Sequence, residues 1–129
     1  MYIANIDDFD TVWKLFHENK KWFPHVRKFH IRNRLNWGQV VLENDVLITH
    51  QIYKRTGKIG HNTDVVTEKG SAIIHQIVRG KDGNAQETIK NFFEFIKTLK
   101  SGGPVFICTI YFGLISLFFI FGYFDCLFK

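Results

Sequence analysis

Hydrophobic positions along the chain change their period several times, and each change marks an element. Tyr2 to Asn5 reads as a short first strand. Phe9, Val12, Trp13 and Phe16 then recur at helical spacing behind Asp7 and Asp8, which stand as N-cap residues with acids in the first turn. Pro24 interrupts that pattern, and a second, basic helical stretch spans His25 to Leu35, ending before Gly38. Alternation takes over next. Val40–Val41–Leu42, the polar Glu43-Asn44-Asp45 and Val46–Leu47–Ile48 read as a hairpin, with strand character continuing through Ile52–Tyr53. Lys54 to Asn62 holds Gly57 and Gly60 among basic residues and reads as a loop or turn. Val65–Val66 and Ser71–Val78 supply further strands, separated by Lys69-Gly70.

The stretch from Ser71 to Leu99 is the most informative. Uniform alternation puts Ile73, His75 and Ile77 on one face and Ile74, Gln76 and Val78 on the other, apolar on both, as in a central strand covered on each side. Arg79-Gly80-Lys81-Asp82-Gly83-Asn84-Ala85 follows. Ile89, Phe92, Phe93, Ile96 and Leu99 then form a helical stripe, with Lys97 and Lys100 in the last turn and Gly102-Gly103 as the stop. Strand, glycine loop and helix N-terminus bring backbone N–H groups and the helix dipole to one point, which is an anion site. The same pattern also serves as a plain tight turn. Neither GK[ST] nor GxGxxG is present, so the loop is not of the nucleotide type. The element order predicts an α/β (α+β) fold with a central sheet.

Composition bounds the class without choosing a partner. The 129 residues make one domain, 1–129, and the 14 phenylalanines promise heavy aromatic packing. A formal charge of +5 favours phosphates, nucleic acid or an anionic membrane surface. Cys108 and Cys126 sit in an apolar run and read as buried free thiols, which fits a cytoplasmic, reducing location. The opening MYIANIDDFD has early acids and no basic-then-apolar run, so no signal peptide is expected. The six histidines lack metal-ligand spacing.

Two further stretches keep alternatives open. Lys20 to Trp37 carries six Lys or Arg residues and no acid, interleaved with Trp22, Phe23, Phe29 and Trp37. Cations and stacking faces of this kind bind nucleic acid, here through Lys20–Arg34. The plain reading is an amphipathic helix pair in which Val26, Phe29, Ile31 and Leu35 pack. Gly102 to Phe124 has no charged residue. As one helix, Pro104–Phe124 would reach the ~20 residues that span a bilayer. As a buried strand, a short helix and a final strand it would complete the sheet instead.

Gly80-Lys81-Asp82-Gly83-Asn84-Ala85 resembles the acetyl-coenzyme A signature of the GNAT superfamily of N-acetyltransferases, whose loop reads Q/R-x-x-G-x-G/A. Gly83 and Ala85 match the last two signature positions, while Gly80 stands at the first with Arg79 one residue early. Leu114 to Phe124, LISLFFIFGYF, is similar to the family ending A-x-x-F-Y-x-x-x-G-F, with Leu117-Phe118 at the F-Y pair and Gly122-Tyr123 at the G-F pair. The resemblance implies a GNAT-like, mostly antiparallel sheet flanked by helices. It implies acetyl-coenzyme A as co-substrate, its pantetheine arm paired with Ile77, Val78 and Arg79. Its pyrophosphate would lie on Lys81, Asp82, Gly83, Asn84 and Ala85. The acetyl group would pass to an amine-bearing acceptor of unspecified class, with His75 as the base and His50 or Glu43 as alternatives. The basic stretch would line the acceptor site, where Arg27, Lys28 and Arg32 would select an acidic acceptor. Phe118 stands where the family has a thiolate-protonating tyrosine, and Tyr111 where it often has asparagine. A coenzyme A-binding module without catalysis is therefore one alternative. A membrane-anchored basic protein that binds nucleic acid is the other.

Overall fold

A computed structural model describes residues 1–58, 66–99, 105–111 and 114–120. The described elements run β1 (Tyr2–Ile3), a 3-10 turn at Ile6–Asp8, α1 (Phe9–Glu18), α2 (Lys28–Asn36), β2 (Val40–Glu43) and β3 (Val46–Ile52). They continue with β4 (Gly57–Lys58), β5 (Val66–Thr67), β6 (Ala72–Arg79), α3 (Ala85–Lys97), β7 (Val105–Tyr111) and β8 (Leu114–Ile120). The fold is mixed α/β, with a main sheet in the order β1-β2-β3-β6-β7-β8 and a separate β4-β5 ribbon. Every neighbouring pair in the main sheet is antiparallel except β6 and β7, which α3 joins as a crossover.

Local chemistry accounts for the element starts. Asn5, not Asp7 or Asp8, supplies the first cap: its Oδ1 accepts from the Asp7 N–H at 2.9 Å, and the Asp8 carboxylate accepts from the Asn5 N–H at 3.0 Å. Asp8 precedes α1 without a side-chain cap of its own. The basic helix starts later than its pattern suggests, at Lys28, where the Arg27 N–H donates to His30 Nδ1 at 2.9 Å. Between β2 and β3 the turn is Asn44-Asp45, with φ of 42° and 63°. Both angles are left-handed, as a two-residue type I′ hairpin requires, and Asn and Asp are the side-chain-bearing residues that tolerate them best.

Helices cover both faces of the sheet, and the core divides accordingly. On one face Ile89, Phe92 and Ile96 of α3 pack on Val41, Ile48, Ala72 and Ile74, with Ile77 against them. On the other, Val12, Leu15 and Phe16 of α1 and Ile31 and Leu35 of α2 pack on Val40, Leu42, Leu47 and Val78. Phe29, expected in this core, is 52% exposed and stacks on His30 with ring centroids 4.0 Å apart.

One register shift corrects the faces read from β6. Thr49 and His50 are consecutive on β3 but oppose Gln76 and Ile74, so His75 is the extra residue of a β-bulge. Uniform alternation placed Ile74 and Ile77 on opposite faces; the bulge puts both toward α3. His75 and Gln76 correspondingly share the α1–α2 side, next to Gln51 and Thr49.

The apolar C-terminal run also departs from expectation. Val105–Tyr111 and Leu114–Ile120 are two strands paired from Val105↔Ile120 to Tyr111↔Leu114, so a second strand follows the first in place of the expected short helix. Successive pairing without a helix suits a stretch rich in β-branched and aromatic residues. Among the described residues no helix is long and apolar enough to cross a membrane. Gly60, Val65, the Gly102-Gly103 stop, Gly122–Phe124 and Cys126 lie outside the described residues.

Candidate functional site

The signature-like loop leaves β6 at Arg79 and enters α3 at Ala85. Asn84 caps the helix, its Oδ1 accepting from the Glu87 N–H at 3.1 Å. Such a cap contributes about 1 kcal/mol. Three of the loop amides already have partners. Gly80 N–H donates to the Asp45 carbonyl at 2.7 Å, and Asp82 N–H donates to the Asp45 carboxylate at 3.0 Å. Gly83 N–H donates to the Gly80 carbonyl at 3.2 Å. A carboxylate of the chain therefore sits where the sequence places a phosphate.

The glycines follow from the same contact. A Cβ on Gly83 would lie 2.6 Å from both the Asp45 carbonyl oxygen and Val46 Cγ2, and one on Gly80 would overlap the Asp45 carboxylate. The hairpin tip thus packs directly on the loop backbone, and glycine is what lets it approach. Arg79, Lys81 and Asp82 are exposed, and the carboxylates of Asp45, Asp82 and Glu87 oppose the two cations nearby. No positive field dominates the loop.

The edge of β6 above this loop is more open. Pairing with β7 covers only Ala72↔Val105, Ile73↔Phe106 and Ile74↔Ile107, although β6 runs on to Arg79 and β7 to Tyr111. Gly80 N–H points to β3, so the alternation of an antiparallel ladder turns the backbone groups of Arg79 and Ile77 to the opposite edge. Asn19 Nδ2, at the end of α1, donates to the Arg79 carbonyl at 3.0 Å and to the Leu15 carbonyl at 2.8 Å. Ile77 therefore presents the next backbone pair along the edge that β7 has left. Val78, assigned with it to the pantetheine, faces β3 with its backbone and the α1–α2 core with its side chain.

His75 lies on the α1–α2 face, its Nε2 3.4 Å from Gln51 Oε1. Burial first, then the Arg34 guanidinium and the His50 ring, lower its pKa to about 4. His50 is held down to about 4 as well, by burial and then by Arg34; its ring centroid lies 5.5 Å from that of Phe92 and its Nδ1 has no hydrogen-bond partner among the described residues. Both rings are neutral at pH 7, so each carries a free lone pair but is a weak base. Glu43, the third alternative, accepts from Asn91 Nδ2 at 3.0 Å. His50 and His75 lie on opposite faces of the sheet, and the electrostatic influence of Arg34, one charge of the basic run in the sequence, reaches both. Its burial lowers the guanidinium pKa, and its Nη1 donates to Gln39 Oε1 at 3.3 Å.

Compared with known proteins, the chain matches no family model, no curated protein and no solved structure. The site is accordingly read from its own geometry. In the basic stretch, Trp22 and Phe29 are exposed alongside Lys20, Lys21, Arg27, Lys28 and Arg32, and Trp37 is exposed just beyond. Several of the cations rest on rings: Lys21 over Trp22 at 5.2 Å, Lys28 over Trp13 at 5.4 Å and Arg32 over Phe9 at 5.1 Å. Among the described residues no cluster of His, Cys, Asp and Glu is arranged to hold a metal ion.

Proposed function

We propose that this is a GNAT-like domain that binds acetyl-coenzyme A where β6 and β7 part and transfers its acetyl group to an amine. One observation carries the reading: the parallel pair ends at Ile74, leaving the Ile77 backbone turned to an edge that no described strand fills. An extended ligand arm bearing amides adds to such an edge as another strand would. The crossover through α3 places a helix N-terminus at the end of the same strand, in reach of the coenzyme's phosphates.

The chemistry needs no covalent enzyme intermediate. The amine nitrogen attacks the thioester carbonyl, the Ile77 N–H steadies the oxyanion, and collapse expels the coenzyme A thiolate. The amine's proton passes to His75, directly or through water, and from there to solvent. A pKa of about 4 makes His75 a poor acceptor for it. That observation favours a second reading, a coenzyme A-binding module without transfer.

Calorimetry with acetyl-coenzyme A, followed by release of free thiol in the presence of mixed amines, separates the two readings. Micromolar binding with thiol release supports transfer, and binding without release supports the module. Lys81→Glu lies clear of the Asp45 contact and is expected to weaken binding severalfold while leaving stability within about 0.5 kcal/mol. No binding of acetyl-coenzyme A or of coenzyme A at saturating concentration overturns both readings.

A further inference from the structure

A cavity of about 200 Å³ lies between the α1–α2 pair and the sheet. Val12, Phe16, Ile31 and Val40 supply apolar walls, and His25, His30, Arg34, Thr49 and Gln76 supply the polar lining. Three of the polar groups, His30, Arg34 and Gln76, keep a donor by their own bonding. His30 Nδ1 accepts from the Arg27 N–H at 2.9 Å, which leaves the ring proton on Nε2. Thr49 Oγ1 donates to Gln76 Oε1 at 3.0 Å, which leaves the amide nitrogen as the donor end of Gln76. Arg34 spends one N–H on Gln39 and meets no carboxylate among the described residues.

A half-buried guanidinium without a counter-charge is costly, and a bound anion removes that cost. We infer that the cavity is a binding site for a small monocarboxylate with an apolar body, its carboxylate seated on the Arg34 fork. The donor set selects this class. A single fixed cation balances one negative charge rather than the two of phosphate, and a planar fork fits a carboxylate through paired hydrogen bonds. The apolar walls receive the remainder of the molecule. The volume lies below the roughly 300–1,000 Å³ of sites for drug-sized ligands, so the occupant is small. This site stands apart from the coenzyme edge, because its lining meets β6 at Gln76 on the α1–α2 face.

The test uses benzoate and isovalerate as probes, with benzamide and inorganic phosphate as controls, followed by side-chain and backbone NMR shifts on the full chain. Both carboxylates are expected to bind at about millimolar Kd, moving the Gln76 amide and His30 ring signals, with benzamide and phosphate far weaker. Arg34→Met removes the charge at similar length and is expected to weaken carboxylate binding about ten- to a hundredfold. Gln76→Glu puts a carboxylate inside the cavity and is expected to abolish binding while raising Tm. Unchanged binding in both variants, phosphate binding as tight as benzoate, or no carboxylate binding by the wild-type chain each overturns the assignment. Acetyl-coenzyme A binding measured in Arg34→Met reports on the coenzyme reading separately.

Discussion

Where β6 ends, the loop amides meet a carboxylate that the chain supplies from its own hairpin tip, whereas midway along the same strand a guanidinium meets none. Asp45 completes the first site by accepting at its backbone and side chain from Gly80 and Asp82. Arg34 in the second donates to one amide oxygen, and its charge reaches two neutral rings. The glycine-rich loop announces anion chemistry in the sequence, and the fold has already satisfied much of it. Arg34 passes as surface charge in the sequence, and the fold gives it no carboxylate among the described residues. A motif identifies groups that are able to bind; the packing around them decides which are still available.

Acid titration gives the widest separation between the two sites. His50 and His75 have folded pKa values of about 4, below the 6.5 of the unfolded chain. Between these values the unfolded state takes up protons that the native rings refuse. The stability they contribute is therefore complete above pH 6.5 and is lost as pH falls toward 4. Each ring accounts for at most about 3 kcal/mol, and urea melts at stepped pH measure the loss. Arg34→Met is expected to make this limb shallower, since the guanidinium helps depress both rings. Asp45→Asn is expected to leave the limb unchanged, and an effect there as large as that of Arg34→Met would undo the contrast.

The loop responds instead to volume. Gly83→Ala drives a methyl against a backbone carbonyl and Val46, neither of which moves without the hairpin, and is expected to cost about 2–3 kcal/mol. Gly80→Ala meets the Asp45 carboxylate first, which can swing aside at the loss of its bond to Asp82, so about 1 kcal/mol is expected. Adding Asp45→Ala should relieve Gly80→Ala and not Gly83→Ala, a non-additivity that a double-mutant cycle in urea resolves.

The smallest effect is the one that bears on ligand. Asp45→Asn keeps the left-handed turn and removes only the charge, at an expected cost of about 1 kcal/mol or less. With that charge gone, acetyl-coenzyme A is expected to bind a few-fold more tightly. Equal affinity in calorimetry would mean that the coenzyme's phosphates do not use these amides.

Local signals in the sequence carried the architecture well. The α1 stripe, the hairpin at Asn44-Asp45 and the α3 stripe from Ile89 to Ile96 lie where periodicity puts them, because each depends on neighbours a few residues apart. Leu99, by contrast, falls past the end of α3 and is exposed. What escaped depends on distant partners. The bulge at His75 exists only in register with Thr49 and His50, and no alternation within Ala72–Arg79 betrays it. Asp45 reaches Asp82 across 37 positions, so the occupant of the loop could not be read from the loop. Arg34 and the two rings come from α2, β3 and β6, and only the fold brings both rings within reach of its charge.

The docked hairpin tip also has a kinetic consequence. A two-residue turn closes on its own within microseconds, but its hold on Gly80 and Asp82 must wait until β6 has paired with β3. The clamp is thus expected to assemble late, after the rate-limiting barrier, which φ-value measurement on Asp45→Asn checks. Weakening it should hasten unfolding and leave the refolding rate nearly untouched, which makes Asp45 a latch on the lifetime of the native state.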